Sequence, residues 1–193
     1  MALEERRARD RAARHQLIIS TARRLAEAEG WEAVTTRRLS TEIEYSQPVL
    51  YKHFSGMQDI AAAVAIEGFA ELADVLAKAR SGRRAPRAVL KRLAHAYIDF
   101  AEANPALYDA MFTRATTLRF AEADTPPQLT SAFGQLRDAV FAVAPGQDVD
   151  TLTEVFWAAL HGLITLGRGG RLRASHDSAR IERLIDKFCG PTH

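Results

Sequence analysis

The chain has 193 residues, 47% hydrophobic and 26% charged, which is a globular composition with enough apolar area to bury a core in one domain or in a small domain fused to a medium one. The formal net charge is +2, which excludes a polycation. The excess is unevenly placed: residues 1–56 hold ten Lys/Arg against eight Asp/Glu, and the rest of the chain holds sixteen of each.

The N-terminus is charged and lacks the apolar run of a secretory signal. Arg6, Arg7, Arg9, Arg11 and Arg14 crowd it, diluted by Glu4, Glu5 and Asp10. Residues 1–13 therefore read as a basic, disordered arm that can touch phosphate, or equally as a solvated terminus. From Arg14, apolar residues at Leu17, Ile18, Ala22, Leu25 and Ala26 recur at helical spacing, and Gly30 ends that helix. Thr35 or Thr36 caps a second helix with Leu39 and Ile43 on its apolar face. After Glu44-Tyr45-Ser46 a third helix starts with Pro48 in its first turn and carries Val49, Leu50 and Phe54.

Ser55 and Gln58 have capping-box spacing for a long fourth helix, about Met57 to Ala79. Further helices are predicted over Arg87–Ala103, Pro105–Phe112, Pro127–Val143, Val149–Leu166 and His176–Phe188, separated by Pro- and Gly-bearing breaks. The longest apolar stretch, Val155–Leu166, contains His161 and falls short of the roughly 20 residues a membrane span needs. Cys189 is the only cysteine, so the chain has no intrachain disulfide and no cysteine cluster for zinc. The pattern is all-α, with nine helices and no strand. A cytoplasmic protein with no membrane partner is expected.

Two short helices joined by three residues have helix-turn-helix spacing, in which the second helix enters the major groove by its leading end. The residues opening that helix are the ones able to reach bases: Ser46, Gln47, Pro48, Val49, Tyr51 and Lys52. Gln47 can make a bidentate contact to adenine, and Val49 can pack on a thymine methyl. Tyr51 and His53 combine a ring with a polar tip that reaches phosphate. Lys52, Thr36 and Arg37 offer phosphate contacts from the flanks. Leu39, Ile43, Leu50 and Phe54 are expected in the core. Helix-turn-helix shapes also occur in proteins that bind no DNA, so the alternative is a small three-helix core with a wet polar face.

Gly30-Trp31, Val34-Thr35-Thr36-Arg37-Arg38-Leu39-Ser40 and Ser46-Gln47-Pro48-Val49-Leu50-Tyr51-Lys52-His53-Phe54 together resemble the N-terminal signature of the TetR (tetracycline-repressor) family, over residues 14–60. The resemblance implies a helix-turn-helix motif at 36–55 and a homodimer reading a near-palindromic duplex operator, usually as a repressor. It implies phosphate contacts from Thr36, Tyr51 and His53 and base contacts from Arg37, Gln47, Pro48 and Val49. There are two departures. Glu44 stands where the family usually has glycine, which leaves either a remodelled turn or a strained Glu44. Met57 stands where the family favours lysine, which removes one phosphate contact.

Residues 61–193 are expected to form a helical ligand-binding and dimerisation domain. Ala158, Ala159 and Gly162 allow close helix approach, and with Ile181, Leu184, Ile185 and Phe188 they can build an intermolecular four-helix bundle. The same residues could instead pack within one subunit; the family resemblance favours the dimer. Trp157, His161 and Gly162 form W-x-x-x-H-G, which resembles a C-terminal variant among TetR-like regulators.

Phe69, Tyr97, Phe100, Tyr108, Met111, Phe112, Phe133, Phe156 and Trp157 gather aromatic and sulfur groups in the middle helices. Taken singly each is better read as core. As a cluster they suggest a pocket for a small, largely apolar effector, with Tyr97, Tyr108 and His161 as polar handles. A dimeric DNA-binding protein without a ligand is a second reading. An enzyme is a third: His95 and Asp99 lie i, i+4 and could hold a metal with His161. No catalytic motif accompanies them, so neither metal nor cofactor is expected.

Overall fold

The computed structural model describes residues 1–114, 118–120, 122, 125–173 and 175–189. Among the described residues there are nine α-helices and no strand: α1 (Ala2–Glu29), α2 (Thr36–Glu42), α3 (Gln47–Tyr51), α4 (Met57–Arg80), α5 (Pro86–Ala103), α6 (Pro105–Asp109), α7 (Pro127–Val143), α8 (Val149–Arg168) and α9 (Asp177–Cys189). A 3₁₀ turn at Trp31–Ala33 follows α1, and a π-helical turn at Ala110–Arg114 follows α6. The last four residues of the expected C-terminal domain lie outside the described residues. The chain divides into two compact units. One joins Met1–Gly68 to Asn104–Asp124, and the other joins Phe69–Ala103 to Thr125–His193.

In the first unit the stretch expected to be a disordered arm is helical, because α1 starts at Ala2. Residues 3–14 are exposed, so this turn-by-turn extension rests on local chemistry. Ala, Leu, Arg and Glu are strong helix formers, and Glu4 and Glu5 sit in the first turn, where the helix dipole favours anions. The buried face of α1 is Ile18, Ile19, Ala22, Leu25 and Ala26. Leu17, expected on that face, is 41% exposed and Ile19 takes its place. Gly30 adopts φ 83°, and its N–H donates to the Ala26 carbonyl at 2.9 Å. That left-handed turn brings Trp31 back onto the unit.

Residues far apart in sequence then close the unit. The Glu27 carboxylate accepts from the backbone N–H groups of Ala106 (3.1 Å) and Leu107 (2.9 Å), satisfying donors that the start of α6 leaves open. Trp31 Nε1 donates to the Ala106 carbonyl at 2.8 Å. Arg114 bonds Glu32 (2.7 Å) and Asp109 (2.8 Å) and lies 5.9 Å from the centre of the Trp31 ring. On α4, a Cβ at Gly68 would come within 2.7 Å of Met111 Sδ and 2.8 Å of Leu107 Cδ1, so any larger residue must displace those two side chains. As a result α6 and its π turn fall in the first unit, not with the C-terminal helices as the sequence suggests.

The second unit packs α5, α7, α8 and α9 with the later part of α4. Its core includes Leu90, Leu93 and Tyr97 from α5, Leu136 and Val140 from α7, Phe156 and Leu160 from α8, and Ile181 and Ile185 from α9. Asp148 caps α8 by accepting from the Thr151 N–H at 3.2 Å. Ion pairs decorate the seams: Arg87 with Asp186 (2.7 Å) and Glu182 (3.3 Å), Lys91 with Glu182, Arg80 with Asp138 (2.8 Å), and Arg137 with Asp150 (2.5 Å). Such surface pairs contribute little, typically about 0.2–1 kcal/mol each. The buried apolar faces hold the unit.

Candidate nucleic-acid interface

The Thr35 side chain is the cap of α2 and accepts from the Arg38 N–H at 3.1 Å. The helix ends at Glu42 with Ile43 as its cap, and the chain turns through Glu44 at φ 57°. The turn is therefore not remodelled: Glu44 itself adopts the left-handed backbone that favours glycine. Its N–H donates to the Thr41 carbonyl at 3.3 Å, and the Tyr45 N–H donates to the Ser40 carbonyl at 3.1 Å.

Ser46 then begins α3, which is only five residues long and ends at Tyr51, not at Phe54. Lys52 and His53 continue as a tight turn, with the His53 and Phe54 N–H groups bonded to the Leu50 carbonyl at 2.9 and 3.1 Å. A helix this short cannot sustain itself. It is held because Leu50 is fully buried and Phe54 is 5% exposed, in the same core as Leu39 of α2 and Ile43 just after it. Burial of this kind stabilises by roughly 1.5–3 kcal/mol per side chain. At the next break the Ser55 N–H is taken by Asp59 Oδ2 (3.0 Å), not by Gln58, and hydrogen bonding from the Ser55 side chain, then from its backbone N–H, holds the Asp59 carboxyl below the usual carboxylate range.

With the apolar side committed inward, the opposite side is open. Arg37, Ser46, Gln47, Pro48, Tyr51 and Lys52 are exposed, while Thr36, Val49 and His53 are half-buried. The two arginines at the start of α2 differ. Arg38 is drawn back to Glu29 (3.2 Å) and Glu42 (3.0 Å), and Glu42 also pairs with Arg24 of α1 at 2.7 Å. The Arg24 hydrogen bond is the main reason the Glu42 carboxyl lies below its ordinary value. Arg38 thus fastens α2 to α1, and Arg37 points the charge outward.

One part of this surface escapes sequence reasoning. The His15 ring stacks on Phe54 at 4.5 Å and meets His53 edge-on at 6.2 Å. An open hollow beside them is lined by Ala8, Arg11, Ala12, His15, Gln16 and His53. Burial, then the nearby charges of His15, Arg11 and Arg14, push the His53 imidazole below its ordinary value. The only sequence signal was the i, i+4 spacing of Arg11 and His15 on α1; their distance from His53 along the chain hides the contact.

The candidate effector residues separate. Phe69, Tyr97, Phe100, Phe133, Trp157 and His161 belong to the second unit, whereas Tyr108, Met111 and Phe112 belong to the first. There, Tyr108 and Phe112 stack at 4.5 Å and Met111 packs at Gly68. In the second unit Trp157 Nε1 donates to Tyr97 Oη at 2.9 Å, and the Phe133 and Trp157 rings meet at 6.3 Å. Phe156, fully buried, meets Phe188 at 5.0 Å. His161 is half-buried; burial, then the Arg168 charge, lowers its pKa.

The candidate dimer residues also separate. Ile181 and Ile185 are buried inside their own subunit, so they are core and not a face open to a partner. Ala158 is exposed, Ala159, Gly162, Leu184 and Phe188 are half-buried, and a Cβ on Gly162 would meet nothing within 4 Å. Val155 (53% exposed) and Leu166 (41%) extend this apolar stripe along α8. His95 is half-buried and Asp99 exposed. Among the described residues no three His, Cys, Asp or Glu side chains are placed to hold a metal ion, so His161 does not join them. No helix among the described residues is long and apolar enough to cross a membrane.

A buried three-helix platform presenting a short, polar-faced helix defines a helix-turn-helix regulator. Residues 18–64 match the family described as bacterial regulatory proteins, tetR family, and residues 90–188 match the tetracyclin repressor-like C-terminal domain. The chain is 30% identical over 158 residues to the HTH-type transcriptional regulator Rv0681 of Mycobacterium tuberculosis (strain ATCC 25618 / H37Rv), covering 79% of this chain and 69% of that protein. It is 38% identical over 95 residues to the HTH-type transcriptional regulator YobS of Bacillus subtilis (strain 168), an alignment spanning 49% of each chain. Among solved structures, a protein of unknown function from Rhodococcus sp. RHA1 superposes with a TM-score of 0.70 at 25% identity, covering 91% of this chain and 93% of that one. The chain belongs to the TetR family, a class of DNA-binding transcription regulators.

Proposed function

We propose that the protein is a homodimeric repressor that reads a near-palindromic duplex operator through α3 and leaves it when a small, largely apolar effector binds the second unit. The observation that carries this reading is the exposed row Arg37, Ser46, Gln47, Pro48, Tyr51 and Lys52 on a platform whose other side is fully committed to the core. Arg37, Gln47, Pro48 and Val49 read bases. Thr36, Ser46, Tyr51, Lys52 and His53 hold phosphates, and Arg11 and Arg14 on the exposed start of α1 add to them. Such a protein acts in the cytoplasm, where its duplex partner is.

The α8 stripe of Val155, Ala158 and Leu166, exposed, with Ala159 and Gly162, half-buried, supports the dimer. A symmetric pair sets two copies of α3 about 34–36 Å apart, one turn of duplex. The effector site keeps Phe69, Tyr97, Phe100, Phe133, Trp157 and His161, with Trp157, His161 and Gly162 marking a W-x-x-x-H-G variant of the C-terminal domain. The effector must bind the DNA-incompetent state more tightly, and coupling of about 1–3 kcal/mol suffices for a switch of this kind. Helix α4 runs through both units and is the element on which effector binding acts.

The test is selection of bound sequences from a random duplex pool, followed by anisotropy titrations of variants. Gln47→Ala should flatten the preference between the selected site and random duplex. Lys52→Ala should weaken all duplexes alike and reduce the salt slope by about one. Binding untouched by both substitutions overturns this docking.

A further inference from the structure

We propose that the cleft between the end of α8 and the start of α9 is a binding site for an amphipathic carboxylate, separate from the aromatic cluster. The cleft encloses about 330 Å³, at the lower end of the roughly 300–1,000 Å³ typical of small-molecule sites. All of its lining belongs to the second unit. Ile98 of α5, Leu163 of α8 and Ile181 of α9 form an apolar wall, while Arg168, Arg173 and Arg180 bring guanidinium groups to the same space. None of Tyr97, Phe133 and Trp157 lines it.

The arginines are arranged by neutral as well as charged partners. Arg168 donates to the Ala101 carbonyl at the end of α5. Arg180 pairs with Asp177 and also donates to the Arg173 carbonyl, which ties the start of α9 to a second residue of the lining. Against three arginines the lining holds two carboxylates, Glu102 and Asp177, so the cleft keeps a positive excess. The planar fork of arginine matches a carboxylate, and the apolar wall calls for a hydrocarbon tail attached to it. A cation or a neutral hydrocarbon would satisfy only half of this lining.

The site stands or falls independently of DNA binding, because it is read on the full-length protein alone. Octanoate is the probe, with 1-octanol supplying the tail without the charge and acetate the charge without the tail. Calorimetric titration should show saturable octanoate binding, with both controls at least tenfold weaker. Arg173→Gln should weaken octanoate at least tenfold, and Arg83→Gln, which removes an exposed arginine elsewhere, should not. Circular dichroism checks that each variant is folded. Amide shifts on octanoate addition should centre on Gly167–Leu172 and Asp177–Ile181, which keeps the test decisive if a variant fails to fold. Octanol binding as well as octanoate, undiminished binding in folded Arg173→Gln, or shifts centred on Phe133 and Trp157 overturn the proposal.

Discussion

The two units use their polar side chains in opposite ways. In the first, the polar row on α2 and α3 faces outward, over a platform where Leu39 and Leu50 are fully buried. In the second, the groups that look like ligand handles already have internal work: Tyr97 Oη takes the Trp157 indole N–H, and Tyr97 itself is fully buried. A polar group turned to solvent above a filled core can be assigned to a partner with more security than one inside a core, where packing and recognition ask for the same residue types. The same contrast explains why a short helix suffices as a reader. Its own five residues contribute little, and its position is set by what lies beneath it.

The sharpest way to break the first unit without touching its outward face is Gly68→Ala. The added methyl meets Met111 and Leu107 at under 3 Å; overpacking of this kind costs about 1–3 kcal/mol, offset in part by the roughly 0.5–1 kcal/mol that alanine gains over glycine inside a helix. Because Leu107 and Met111 are tied into α6 and the π turn, the loss should appear as a lower denaturation midpoint together with weaker duplex binding. A Gly68→Ala protein of parent stability would show that α6 is not held as described.

Much of this architecture was visible in the sequence wherever the signals are local. Thr35, Leu39, Ile43, Pro48 and Leu50 lie within a few residues of what they specify, so α2, the turn and α3 could be placed, although α3 stops three residues early once Lys52 and His53 close on the carbonyls behind them. At the start of α1 the dense run of charge suggests a disordered arm or a solvated terminus, while the Ala, Leu, Arg and Glu content that makes it helical carries no apolar periodicity to mark it. The location of α6 was not legible at all. It depends on Glu27 and Trp31 reaching Ala106 and Leu107, and nothing in either short segment announces the other. For the same reason Ile181 and Ile185 looked available to a partner subunit when their own subunit buries them.

A gentler change should strengthen the first unit. Glu44 sits at φ 57°, a backbone that costs a non-glycine residue roughly 1–2 kcal/mol. Glycine relieves that strain but adds freedom to the unfolded chain, so Glu44→Gly should raise stability by about 0.5–1 kcal/mol. Thermal unfolding measures it. Glu44→Ala, which keeps a Cβ, should gain nothing. A destabilised glycine variant would mean that the glutamate side chain makes a contribution that outweighs its backbone.

The smallest effect separates the units by sign. His53 and His161 are both held below the ordinary imidazole value, chiefly by burial. For His161 the unfolded chain binds the proton more readily than the folded one, so stability is fully present above about pH 6.5 and declines as pH falls toward the lowered folded value. His161→Gln should flatten that decline in denaturant titrations run from pH 7.5 to 5.5. His53 shows the same sense in the free protein, but a phosphate placed against it favours the charged ring. Duplex affinity should therefore rise over the same fall in pH, with uptake of a proton, and His53→Gln should remove the rise. Duplex affinity that falls in parallel with stability would mean that His53 stays neutral on the complex and that phosphate is not its partner.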